Sequence, residues 1–486
     1  MRRLVFASLF VAAFVVVAVA GAAVTVTLAS PGLTPFASCT ADDPAGQHAA
    51  FGSTLFPNSE IEPRSAVNPA NPLNIVAEYQ QDRWSDGGAR GLVASVTHDG
   101  GTTWHRVVVP GLSKCSGGSY DRASDPWVSF APNGDLYAIS LSFDFFDLHN
   151  AIIVSKSTDG GDTWSAPKEI TADDTDGLDK QSITVDPHNS NVVYATWDRL
   201  ITPGGSLHAS DQGILNSRSF KSQTFFSKST NAGATWSAPQ QIFVDSSFSG
   251  SIGGMIRVLS DGTLVDGLDT YGNADWKGGK CASVSVLSSS DGGDTWTNKP
   301  TIISPLSCTY VGAHDPDTGA LVRSGGLIDF TVDGMNQYAV WEDALPSAPR
   351  TGRVLYSQSI NGGPWSPPTV ISKTPAGVDA FVPTIAVNAS HVIGVSYYDF
   401  RNNTPGGSAD TDVWLVRCSS ACTTSSNWTE THVAGPFDLH QAPVARGEFV
   451  GDYQGLTTNG NVFQPFFIQA VTAGSNPTDA YFATVS

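Results

Sequence analysis

Charge is scarce in this sequence, and what there is has one dominant sign. Of 486 residues 15% are charged, and 45 Asp and Glu against 26 Lys and Arg leave a formal net charge of −19. Such a balance repels nucleic-acid phosphates and anionic lipid surfaces, and no basic stripe offsets it, so nucleic acid is excluded as a partner. One apolar run of more than 20 residues opens the chain, and no second run long enough to span a bilayer follows it. The sequence also lacks a nucleophile elbow, an HExxH pair and a phosphate-cradling glycine loop at a strand-to-helix junction, which removes the reactions those motifs carry. No linker rich in Ser and Pro divides the body of the chain.

What is present points to an exported, turn-rich globular protein. Hydrophobic residues make up 41% and glycines number 48, enough for a large core and many turns. The opening MRRLVFASLFVAAFVVVAVAGAA has two arginines, an apolar run and small residues near Ala20, the pattern of an export leader. Its length also suits an uncleaved anchor, so residues 1–30 are expected to be a signal peptide or a membrane anchor, with 31–46 a linker. The expected location is secreted or extracytoplasmic, with the membrane touched only through such an anchor. Six cysteines in an exported chain suit three disulfides. Spacing suggests Cys418 with Cys422, Cys281 with Cys308, and Cys39 with Cys115.

One phrase recurs: THDGGTTW ending at Trp104, STDGGDTW at Trp164, STNAGATW at Trp236 and SSSDGGDTW at Trp296. Each copy follows a short alternating run such as GLVASVT or AIIVSKS, which reads as a half-buried strand. Gly-Gly or Ala-Gly after Asp or Asn makes a tight turn requiring positive φ, the carboxylate or amide can accept turn N–H groups, and the Trp is a large apolar plug. Upstream of each phrase lies a strand, an Asn/Asp/Gly turn and a second strand, as in SITVDPHNSNVVYATW; seven such segments occur, ending with GLTTNGNVFQPFFIQA. The unit is a four-stranded antiparallel meander of about 50–70 residues, which buries both faces only when copies are arranged radially. The fold expected is therefore an all-β propeller over residues 47–486, one domain, with seven blades favoured over six. The seventh unit stops at its third strand, so the termini should share one blade, the segment near Phe51–Phe56 being the nearest upstream strand.

These phrases closely resemble the Asp box of sialidases and other BNR-repeat propellers, a resemblance covering essentially everything after the leader. It implies a propeller that recognises carbohydrate, either as a glycoside hydrolase of the exo-sialidase type acting on acidic sugars or as a non-catalytic module binding glycan or protein. Sialidase domains have six blades, a departure from the seven units here. The boxes headed by Asp99, Asp159, Asn231 and Asp291 are expected to be structural, leaving the opposite rim for ligand. There the second strands end in AEYQQDRW, SFDFFD, TWDRL, LDTYG, VWEDA and SYYDFRN, aromatics beside acids and Arg. Trp197, Trp341 and Tyr397 suit either that rim or packing between blades.

A retaining sialidase clamps its substrate carboxylate with three arginines and uses a Tyr nucleophile, a Glu partner and an Asp acid/base. EPRSAV followed by AEYQQDRW is similar to the family's first Arg motif, which implies Arg64 for the clamp and Asp82 for acid/base work, although Pro63 precedes Arg64 where the family's FRIP-type context would not have it. Arg257 in MIRVLSD and Arg323 in LVRSGGLIDF complete a candidate clamp. RGEFVGDYQGL adds Arg446, Glu448, Asp452 and Tyr453, with Tyr453 and Glu448 the candidate nucleophile pair and Arg446 a further substrate-binding residue. No cofactor and no metal is expected: DPDTGA from Asp315 lacks the glycine and terminal Glu of a calcium loop and reads as a turn.

Overall fold

The computed structural model describes residues 22–43, 46–201, 221–243, 249–272, 282–324, 326–471 and 477–486. Most of the expected leader or anchor, residues 1–21, lies outside them, as does Cys281.

Among the described residues the strands form seven four-stranded antiparallel meanders. Their innermost strands are Leu55–Val67, Arg122–Phe130, Gly177–Val185, Ser249–Val258, Asp329–Asp333, Ala380–Val387 and Gly455–Asn459. Each packs on the next, and the seventh returns to the first, so the sheets encircle one axis as a β-propeller. The first two sheets are also joined by a single bridge between Ala89 and Ala123. Second strands such as Ile75–Trp84 are buried along their whole length, because a neighbouring sheet covers each face. Trp197, Trp341 and Tyr397 lie on these strands and are at most 1% exposed. They are packing between sheets and not a ligand rim.

The repeated phrase explains how neighbouring sheets are held. In the first copy Asp99 Oδ1 accepts from the N–H groups of Thr102 and Thr103 at 3.0 and 2.9 Å, and Asp99 Oδ2 accepts from the Thr103 hydroxyl at 2.6 Å. Asp159 with Thr163, Asn231 with Thr235 and Asp291 with Thr295 repeat the pattern. The glycine two residues after each of these is left-handed and has no room for a Cβ: at Gly101 it would meet the Phe482 ring at 2.2 Å, and at Gly293 the Phe226 ring at 2.4 Å. Phe482 belongs to the seventh sheet and Phe226 to the third, so each turn is driven into the sheet before it. The Trp follows the glycine: Trp104 stands 5.2 Å from Phe482 and Trp296 5.4 Å from Phe226, ring to ring. Burying a Trp removes about 150–250 Å² from water, which at about 25 cal/mol per Å² is several kcal/mol.

The N-terminal region differs from the sequence expectation. Val24–Leu28, inside the span assigned to the leader, pairs with Thr478–Val485 as the fourth strand of the seventh sheet, from Val24 opposite Val485 to Leu28 opposite Tyr481. Residues near Phe56 instead begin the innermost strand of the first sheet. Residues 31–43, expected as part of a linker, are packed down: Phe36 is buried, Cys39 is bonded to Cys115, and Asp42 accepts from Trp84 Nε1 at 3.2 Å and Arg90 Nε at 3.1 Å. The VTVTL of Val24–Leu28 continues the apolar run without a break, so the sequence carries no mark distinguishing this strand from the leader. The Cys418–Cys422 disulfide is present as the spacing suggests.

Candidate functional site

The axis is shaped by a local irregularity shared by five of the seven innermost strands. Register breaks between Ile61 and Arg64, Ser124 and Trp127, Asp179 and Ser182, Ile252 and Met255, and Phe381 and Thr384. At each break one residue is left-handed: Glu62, Asp125, Lys180, Gly253 and Val382. A bulge of this kind re-aims side chains, and Pro63, Pro126 and Pro383 follow three of them where the ladder needs no N–H. These breaks lie at the mouth opposite the repeated phrases, since the innermost strands begin there.

Lys180 sits among three carboxylates at this mouth. Its Nζ lies 2.8 Å from Asp125 Oδ1, 2.7 Å from Asp452 Oδ2 and 3.4 Å from Glu62 Oε1. Arg323 Nη2 meets the same Asp452 oxygen at 2.8 Å, and its guanidinium lies 4.0 Å above the Phe449 ring. Burial works to raise the Asp452 carboxyl, but Arg323 and Lys180 hold it well below the usual range. Glu62 is pushed up to about 8, burial outweighing the nearby Lys180. Burial and then Asp125 push Asp179 up to about 7.

Two hollows meet at this cluster. A small axial cavity of about 30 Å³ is lined by Arg64, Trp127, Lys180, Asp329, Asp452 and Tyr453 among others. Beside it a cleft of about 480 Å³ is lined by Asp179, Lys180, Asp269, Tyr271, Arg323, Arg446 and Asp452, with Leu306, Leu321 and Leu327 as apolar wall. Lys180, Leu327 and Asp452 belong to both, so the cleft opens over the axis. The volume is in the range of a small-ligand pocket.

The residues expected from sequence are divided by this geometry. Arg323 and Arg446 line the cleft. Arg64 lines the axial cavity, its guanidinium 3.9 Å above the Trp127 ring and 3.4 Å from Asp329 Oδ1. Arg257 bonds to its neighbours, Nη1 to the Ile256 carbonyl at 2.9 Å, and lines neither hollow. Its guanidinium is lowered to about 10 by burial and by Arg64. The four arginines therefore do not close on one point.

Tyr453 reaches the axial cavity, but its hydroxyl donates to the Pro126 carbonyl at 3.1 Å and makes no hydrogen bond with Glu448. Burial and then Glu62, Asp125 and Asp452 raise the phenol well above its usual value. Glu448 acts through its backbone carbonyl, which accepts from Arg323 N at 3.1 Å. Asp82 is fully buried in the first sheet, accepting from Asn58 N at 2.8 Å with Arg90 at 3.9 Å, and lines neither hollow. The expected nucleophile, partner and acid are thus not brought together.

Lys180, Asp179, Glu62 and Asp125 are not among the residues the sequence singles out, whereas Asp269 lies in the LDTYG segment expected on the ligand rim. The signal was there in SEIEPRSAV, RASDPWVSF, GLDKQSITV and DAFVPTIAV: a special residue five positions before the end of the innermost strand, in three cases followed by Pro. The Asp315 loop is a turn as read, Asp315 Oδ1 accepting from Asp317 N at 2.8 Å and Thr318 N at 3.1 Å.

No family model matches the sequence, and no curated protein matches it. Among solved structures, the chain is similar to the α-L-arabinofuranosidase of Fusarium graminearum bound to an iminosugar inhibitor, with 10% identity, TM-score 0.44, and 88% of this chain and 92% of that chain covered. It is similar to the Penicillium chrysogenum α-L-arabinanase complexed with arabinobiose at 12% identity and TM-score 0.44, covering 88% and 93%. It is similar to the Trypanosoma rangeli sialidase in complex with sialic acid at 14% identity and TM-score 0.42, covering 78% of this chain and 55% of that chain. Every one of these scores lies below 0.5, and the architecture stands on the strand pairing itself.

Proposed function

We propose that this chain is an exported Asp-box propeller that recognises an acidic carbohydrate at the axial cleft. The observation that supports this reading is the charge of the cleft wall. It carries three cations, Lys180, Arg323 and Arg446, but of its three acids only Asp452 is held firmly ionised, while burial keeps Asp179 and Asp269 raised. A wall whose cations outnumber its firmly ionised acids, with several polar groups beside them, suits a polyhydroxylated anion. Cleavage of a leader near Ala20 would leave Val24–Leu28 in the mature propeller.

Glycoside hydrolysis is the second reading, favoured by one feature: Asp179 and Asp452 face the same cleft with their proton affinities pushed in opposite directions, as an acid and a base require. A glycan panel of sialylated, uronic and neutral oligosaccharides tests both. Binding to acidic members that weakens in Arg446→Ala supports recognition, and reducing-sugar release lost in Asp179→Asn supports hydrolysis. Folded protein that binds no acidic member of the panel removes the proposal.

A further inference from the structure

The rim that carries the repeated phrases, opposite the mouth, holds a second cluster of side chains. His105 opens the fourth strand of the first sheet, opposite Val96, and His98 follows Thr97 in the turn before it. Asp162 stands in the turn of the second sheet, and both imidazoles reach its carboxylate: His98 Nε2 lies 3.1 Å from each oxygen and His105 Nε2 2.9 Å from Oδ1. The turn itself does not use Asp162, since Asp159 accepts from the N–H and hydroxyl of Thr163. Asp162 is nevertheless held in place. Asn74 Nδ2 donates to the Gly160 carbonyl at 3.0 Å, and the next glycine, Gly161, lies against Val76 and Val96 of the first sheet. The fourth phrase has an acid at the same place, Asp294, and there one ammonium, that of Lys228 in the third sheet, meets it at 2.6 Å. An ion pair between neighbouring sheets therefore needs one cation. Two imidazoles on one carboxylate offer a different chemistry, nitrogen and oxygen donors of the kind that hold zinc.

We propose that His98, His105 and Asp162 form a zinc site that clasps the first two sheets. Ligand atoms around a tetrahedral zinc stand about 3.3 Å apart, so nitrogen–oxygen distances of 3.1 and 2.9 Å are close to what the ion requires. Side-chain exposures of 44% and 53% for the histidines and 42% for Asp162 leave the imidazoles room to turn onto an ion and leave its remaining position to water. Magnesium and calcium take oxygen ligands and are poorly served by this donor set. One hairpin supplies two ligands and the neighbouring sheet the third, so the ion is held only where the two sheets pack, and binding it stabilises the fold. The site lies away from the mouth and does not depend on the chain taking a sugar.

The test takes the full chain, freed of metal by a chelator, titrates it with zinc chloride by calorimetry and melts it with and without the ion. One zinc per chain is expected, with the melting temperature raised by a few degrees at about 100 times Kd and no such rise with magnesium. His98→Ala, His105→Ala and Asp162→Asn should each weaken zinc binding by about tenfold or more, since losing even an outer-shell partner costs that much. His391→Ala, which takes a single imidazole from a single carboxylate, Asp333, elsewhere on the surface, should bind zinc as wild type does. Reading the zinc-induced shift within each variant separates ligation from any effect of the substitution on the fold. Zinc that gives neither heat nor a shift overturns the proposal. So does binding that survives in the His98→Ala/His105→Ala double variant, which marks an adventitious ion only, or a loss in His391→Ala as large as in His98→Ala.

Discussion

Lys180 Nζ stands 2.7 Å from Asp452 Oδ2, joining the innermost strand of the third sheet to the segment that leads into the seventh. The same ammonium reaches Asp125 of the second sheet and Glu62 of the first, so one cation fastens four sheets at the axis. Charges taken out of water are expensive, and removing one partner leaves the others uncompensated. Lys180→Met is therefore expected to lower stability by about 3–5 kcal/mol, read from the urea midpoint. Adding Asp125→Asn to it should recover part of the loss, because one orphaned charge goes with it. A midpoint unchanged by Lys180→Met would mean that the cluster is not holding the ring.

Asp179 gives the cleft a pH dependence of definite sign. Its carboxyl, raised to about 7, is neutral below that pH and anionic above it. Affinity for an acidic sugar should fall by about tenfold as pH rises through 7, the effect of one added negative charge near the ligand. A neutral sugar should show no such fall. Asp179→Asn should flatten the profile, and titration calorimetry between pH 5.5 and 8.5, a window of about three units around the value in question, distinguishes the outcomes.

Asp99 and Asp291 test the scaffold independently of the ligand. Hydrogen bonds from Thr103 and Thr295 lower their carboxyls to about 2. A depressed acid stabilises the fold at pH values above its unfolded value, and that contribution is lost as pH falls through the folded one. Asp99→Ala is therefore expected to lower the melting temperature at pH 7 by a few degrees, and the gap to wild type should narrow towards pH 2. Asp99→Asn should be milder at pH 7, since Asn231 already makes the same turn bonds in the third copy. Sugar affinity should not change in either variant.

The sequence made the sheets readable because their signals are local. Each GG-x-T-W turn records its own strand pair, and the glycine and Trp that lock it to the preceding sheet are adjacent in the chain. The site was less readable because its parts are far apart. Arg64, Arg323, Arg446 and Tyr453 line the two hollows, but a motif does not reveal which oxygen a phenol will find, and Tyr453 donates to the Pro126 carbonyl. Nothing in GLDKQSITV by itself marks Lys180. Only its left-handed backbone, at φ 46°, turns it inward onto carboxylates from three other sheets. Arg257 failed for the complementary reason: its strand directs the guanidinium back onto the Ile256 carbonyl.

His440 and Asp315 join the segments that precede Arg446 and Arg323 in the chain. His440 Nε2 lies 2.8 Å from Asp315 Oδ2, and this bond raises the imidazole above its usual value. A raised histidine contributes stability fully below its unfolded value and loses it as pH rises through the folded one. Wild-type protein should thus lose a small increment of stability above neutral pH that His440→Gln lacks, measured by thermal melts from pH 5 to 9, about two units either side of neutrality. The variant should also weaken sugar binding by about two- to fivefold, the scale of a lost hydrogen bond acting through position.

The ring is closed by Val24–Leu28, and its removal tests whether closure is a local ornament or a condition of the fold. Five residues pair with Thr478–Val485. The contact continues beyond them, with Ala29 N donating to the Ala480 carbonyl at 2.8 Å and Ala480 N to the Ser30 hydroxyl at 2.9 Å. Without the strand, Thr478–Val485 becomes an edge with open N–H and C=O groups, ready to pair with another molecule. A chain beginning at residue 30 is expected to lose about 3–5 kcal/mol, at about 1 kcal/mol per ladder position, and to associate as its concentration rises. A synthetic peptide covering residues 22–30 should restore both stability and the monomer, since the strand is held by pairing and not by its covalent link to what precedes it. If the shortened chain melts at the wild-type temperature and stays monomeric in sedimentation, the seventh sheet is complete with three strands, and closure depends on the innermost strands alone.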